Sequence, residues 1–197
     1  MLERAKRWPM FVLPIPRPSV PGSPGEAPTD AEQEAAMEFH LLQWGLHGPP
    51  TPELLDPFDR VTIPAPTPTP LPQIATALFT SLIEYQRHQT YAPPYFVTTF
   101  YTHFAASHGI VLLRGEITPR SRAGPAATTP SGDEKYMLSQ MDAQLLAMGL
   151  QRFYLPQQKN GGGSIGGEEE LLLKTFNENP SEFKWQDLVA AWKAWGI

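Results

Sequence analysis

Apolar side chains recur every three or four residues in several stretches of the chain, and that period predicts helices. The last of them carries Trp185, Leu188, Val189 and Trp192 on one stripe, with Ser181 before it and Gly196 after it. Glu168 to Asn177 predicts another, opened by three carboxylates that suit a helix N-terminus. Ser131 with Glu134 reads as a capping box for a helix that ends before Gly149, its buried side made of Tyr136, Met137, Met141, Leu145 and Met148. Ile74, Leu78, Leu82 and Tyr85 predict a helix from Gln73 to about Gln89, with Pro72 at its start. Thr29 with Glu32 opens a helix over Ala31–Trp44 that Gly45 stops.

Two stretches are less plain. Tyr95 to Ser107 is rich in strand-forming Tyr, Phe, Val and Thr. Phe96, Phe100 and Phe104 also fit a helical stripe, and the length with the Gly109 stop favours helix. Ile110-Val111-Leu112-Leu113 is the best strand candidate, and Phe153-Tyr154-Leu155 is a second short apolar run. The expected fold is therefore mainly α, about five to six helices, with room for a short two-stranded β element near Ile110 and Phe153.

Proline changes this picture. Of 23 prolines only Pro156 and Pro180 lie beyond residue 130. Pro14, Pro16, Pro18, Pro21, Pro24 and Pro28 fix φ and remove amide donors, so residues 1–28 read as a polyproline arm. The alternation from Pro64 to Pro72 makes 47–72 a semi-rigid spacer. The organisation expected is an arm (1–28), a helix (29–46), the spacer (47–72) and a mainly helical core domain (73–197).

Charge narrows the class of partner. The net charge is −5, and eight acids from Glu26 to Asp59 follow a basic start of Arg4, Lys6, Arg7 and Arg17. An acidic chain is a poor match for phosphates, which disfavours nucleic acid even with Arg17, Arg114, Arg120 and Arg122 available as a patch. No run reaches the roughly 20 apolar residues of a membrane span. Met10–Val12 is too short for the apolar part of a signal peptide, and Glu3 disfavours a mitochondrial presequence. With no cysteine, disulfides, thiolate metal sites and thiol nucleophiles are excluded.

The enzyme-like motifs fail on their own chemistry. Gly161, Gly163 and Gly166 spell a dinucleotide fingerprint, yet Glu168, Glu169 and Glu170 follow where phosphate charge would sit. Gly162, Ser164 and Gly166 spell a nucleophile elbow, but all five histidines (His40, His47, His88, His103, His108) precede Ser164. Neither His40 with His47 nor His103 with His108 has the spacing of metal ligands on one helical face. No catalytic, cofactor-binding or metal site is expected.

The remaining signal is aromatic. Trp185, Trp192 and Trp195 at the end of the chain, and Trp8, Phe11 and Ile15 in the arm, are either core or anchors for a partner. The expected role is a non-enzymatic structural or interaction subunit of a larger protein assembly, a virion or a cellular or organellar complex. Its partners are other protein subunits, and it is soluble, within a cell, a virus particle or an organelle complex. Two rivals stand beside it. One is a monomeric adaptor presenting its proline tract or Trp helix; the other is a small enzyme gathering His103, His108 or Glu116.

Overall fold

A computed structural model describes residues 1–17, 36–48, 74–88, 92–102, 104–120, 136–155 and 167–195. The fold is mixed, and the mainly α expectation is overturned by a five-stranded antiparallel sheet. The strands are β1 (Met10–Arg17), β2 (Ala36–His47), β3 (Ile74–Ser81), β4 (Phe96–Tyr101) and β5 (Leu112–Ile117), each paired with the next in chain order. Among the described residues six α-helices accompany them: α1 (Leu2–Arg7), α2 (Leu82–His88), α3 (Ala105–His108), α4 (Gln140–Tyr154), α5 (Glu168–Glu178) and α6 (Trp185–Ala194).

Each correction has a physical reason. Where a polyproline arm was expected, Leu2–Arg7 is helical and Met10–Arg17 is a strand, because a sheet edge tolerates proline. The amide of Trp44 donates to the carbonyl of Pro9 at 2.8 Å, and Phe11 faces Leu42 in the same register. Odd-numbered residues of β1 thus bond to β2, and the nitrogens of Pro14 and Pro16 point away from the sheet. Their missing N–H groups cost the ladder nothing.

The helix expected over Ala31–Trp44 is instead β2 from Ala36 onwards; Thr29 and Glu32 lie outside the described residues. His40 and Leu42 are fully buried on one face beside Leu13 and Phe11 of β1, while Leu41 pairs with Val12 on the other. Apolar residues on both faces blur the two periods, and pairing on both sides decides for strand. Gly45 stops nothing: it sits within β2, where a Cβ would come within 2.8 Å of the Thr76 hydroxyl on β3.

Where a helix was expected over 73–89, Ile74–Ser81 is β3 and Leu82–His88 is helix, residues 73 and 89 lying outside the described residues. Tyr95–Ser107 is likewise strand first. Phe96, Thr98 and Phe100 are buried along one face of β4, a period of two that also contains the spacing of four read as helical. Only Ala105–His108 is helix there.

Helices α4, α5 and α6 match expectation better. Ser139 caps α4, accepting from the Asp142 amide at 3.1 Å, and the helix runs through Gly149 to Tyr154. Ser131 and Glu134 lie outside the described residues, and the Phe153 run is helix rather than strand. The buried face of α4 is Ala143, Leu146, Gly149, Leu150, Phe153 and Tyr154, whereas Tyr136, Met141 and Met148 are exposed. This face packs on the sheet: Phe11 lies 4.6 Å from Phe153, 5.5 Å from Phe176 and 6.3 Å from Phe183, ring centre to ring centre. One strand residue thereby joins α4, α5 and the turn before α6.

Candidate protein-binding surface

The two edges of the sheet are built differently. At the β1 edge the outward groups of Met10 are occupied: its amide donates to the Asn177 side-chain oxygen at 3.3 Å, and its carbonyl accepts from the Asn177 side-chain nitrogen at 2.7 Å. Pro14 and Pro16 present no donor beyond that point. This edge is closed to further strands.

The β5 edge has no such cover among the described residues. Thr118 donates to the Tyr95 carbonyl at 2.9 Å, which places the even residues of β5 against β4. The N–H and C=O groups of Leu113 and Gly115 therefore point outward. The strand and its approach are apolar and exposed: Ile110 is 49% exposed, Leu112 47% and Leu113 37%. Arg114 and Glu116 pair with each other at 2.7 Å on the opposite face from Leu113.

Beside this edge lies a groove of about 530 Å³, lined by Leu2, Phe100, Val111, Leu113, Gln151 and Leu155. It forms where α1 and the end of α4 stop short of β5. Its size suits a small ligand or a few side chains, and its walls are almost wholly apolar. Walls of this kind suit hydrocarbon, and the exposed strand beside them suits unpaired backbone.

The aromatic candidates from the sequence go elsewhere. Trp8, Phe11, Ile15 and Trp192 are buried in this chain's own core. The Trp8 indole donates to Glu178 at 3.1 Å, and its carbonyl accepts from the Tyr154 hydroxyl at 2.9 Å. Trp195 is half-buried, 5.1 Å from Phe153 and 5.5 Å from Trp192, with the Arg152 guanidinium 4.8 Å over its ring. The structure brings Phe11 and Trp195 against Phe153, with Trp192 against Trp195, and leaves Trp185 exposed. Trp185 is 54% exposed, its ring 6.2 Å from Phe39 in an edge-on contact. Of the groove, Val111 and Leu113 belong to the strand expected at Ile110–Leu113, Phe100 to the ambiguous Tyr95–Ser107 stretch, and Leu155 to the short apolar run after Phe153.

A polar cluster lies partly buried where β1, β2 and α4 meet. Arg17 reaches Glu38 and Asp142 at 2.7 and 2.6 Å, tying β1, β2 and α4 together. His40 next to it is fully buried, with no hydrogen-bond partner for either ring nitrogen among the described residues and Glu38 3.6 Å away. Burial holds its pKa below the usual histidine range, and Arg17 acts in the same direction against the pull of Glu38 and Asp142. His108 and Glu116, named for the enzyme reading, are exposed at separate places, while His103 and the loop around Ser164 lie outside the described residues. Among the described residues no group of three or more His, Asp or Glu could hold a metal ion.

The described sheet thus carries an exposed strand edge beside an apolar groove. The chain belongs to the ATP11 protein family, whose sequence pattern matches residues 1–189, and the family is non-enzymatic. It is 27% identical over 178 residues to Protein atp11, mitochondrial, of Schizosaccharomyces pombe. That match covers 90% of this chain and 42% of the relative, so the chain spans less than half the relative's length. Membership removes the virion reading. Among the described residues no helix is long and apolar enough to cross a membrane.

Proposed function

We propose that this protein is an assembly chaperone that holds individual subunits of the mitochondrial F1-ATPase through the groove beside β5 until they join the complex. Family membership and the mitochondrial relative support this reading. The observation that carries it is the apolar groove lying against an exposed, apolar strand edge. Subunits awaiting assembly expose apolar surface that their neighbours later cover, and a chaperone must cover it in the meantime. The expected interaction role is thereby kept, but as a transient holder rather than a permanent structural subunit.

The test is to mix the purified protein with each F1 subunit alone and measure co-elution and suppression of light scattering. At least one subunit is expected to co-elute and stay soluble. Leu155→Glu, which puts a carboxylate into the groove from an exposed position, is expected to weaken that binding without unfolding the chain. Failure of every F1 subunit to bind the parent protein overturns the reading.

A further inference from the structure

We infer that the β5 edge binds its partner by strand addition: an extended segment of the held subunit becomes the sixth strand of the sheet. The inference rests on the chaperone reading above and specifies how that site works.

The sheet itself supplies the argument. It blunts one edge with two prolines and the paired contacts of Asn177 on Met10, and among the described residues leaves the other without either device. Unpaired edge groups beside apolar side chains template another strand, and proteins that do not use such an edge ordinarily blunt it. Here the outward N–H and C=O belong to Leu113 and Gly115, two residues apart, the repeat that a paired strand requires.

The same geometry fixes the chemistry of the occupant. Leu113 lies on the face of the sheet that lines the groove, so alternate side chains of an added strand point into apolar space. The intervening side chains fall on the face of Arg114 and Glu116, where polar or charged residues are at home beyond the exposed Leu112 at its start. The occupant is therefore an extended segment that alternates apolar and polar residues, with its own backbone bonds unmade. A subunit that has not yet packed against its neighbours supplies such a segment.

Leu113 is the residue to change. Its amide points outward, so proline there removes one intermolecular donor while sparing every bond to β4. Leu113→Val keeps both the amide and an apolar side chain. With purified F1 subunits as probes, Leu113→Pro is expected to weaken binding by about tenfold or more, and Leu113→Val to bind like the parent. Amide exchange on the unmodified protein gives a second reading that does not depend on the variant folding. The Leu113 and Gly115 amides should slow on adding the subunit that binds. If the subunit binds while those amides exchange as before, or Leu113→Pro folds and binds like the parent, strand addition is wrong and the chaperone reading survives. Slowing of the same amides with protein concentration alone would assign the edge to a second copy and overturn the proposal.

Discussion

Trp192 of α6 lies against the backbone of Gly149 in α4, so closely that a Cβ built on Gly149 would come within 2.5 and 2.6 Å of two indole carbons. The helix passes through this glycine because the missing side chain is where the indole sits. In most helices Gly→Ala adds about 1 kcal/mol of stability. Here the added methyl meets a fully buried ring, and also the Leu13 side chain at 3.3 Å. Overpacking of this kind costs about 1–3 kcal/mol. Gly149→Ala is therefore expected to lower the urea midpoint with an unchanged slope. Adding Trp192→Phe should recover part of that loss, since the smaller ring leaves room. A Gly149→Ala protein more stable than the parent would mean that the two helices slide apart at no cost.

A second prediction concerns acid. His40 is buried between its cross-strand neighbours Leu13 and Ser81 and faces Glu38, Arg17, Asp142 and the Tyr95 ring. Its folded-state pKa is lowered, chiefly by burial. The unfolded chain takes up this proton near pH 6.5, as an ordinary histidine does, while the folded protein resists it until lower pH. The unfolded state thus binds more protons in that window, and stability falls as pH drops below about 6.5. Above that value the contribution is fully present. His40→Gln should flatten the slope of unfolding free energy between about pH 6.5 and 5.5. An unchanged slope in the variant would place the acid sensitivity on other groups.

The parts of this fold that were legible in the sequence are those decided locally. Glu168–Asn177 was expected and Glu168–Glu178 is observed, because three first-turn carboxylates and a helical stripe act within one segment. Strands depend on partners far away in sequence. Nothing in Ala36–His47 says that Met10–Arg17 will lie beside it, and prolines at 14 and 16 argue against a strand until it is known to be an edge. The site was half legible for the same reason. Ile110–Leu113 announces a strand, but its exposed edge follows from the order of all five strands. The tryptophans misdirected attention, since apolar stripes look alike whether they face a core or a partner. Only the packing of α6 on Gly149 separates buried Trp192 from exposed Trp185.

The last prediction concerns the closed edge. Asn177 serves three backbone groups: its oxygen receives the Met10 amide, and its nitrogen donates to the carbonyls of Met10 at 2.7 Å and Leu173 at 2.9 Å. It therefore fastens α5 to the outer side of β1. Asn177→Ala leaves the Met10 groups partly buried without partners, and a loss of about 1–3 kcal/mol is expected. Asn177→Asp is the sharper probe. A carboxylate still accepts from the Met10 amide, but its second oxygen faces two carbonyl oxygens where a donor stood, and like partial charges repel. Asp should cost more than Ala at neutral pH, although it is the closer match in shape. Below the carboxyl's pKa the protonated oxygen can donate again, so the gap between the two variants should narrow with acid. The measurement is urea unfolding of both variants at pH 7 and at about pH 4, near the ordinary aspartate pKa. Equal stabilities of the Ala and Asp variants at neutral pH would show that the Asn177 nitrogen contributes little to holding β1. The closure of this edge would then rest on Pro14 and Pro16 alone.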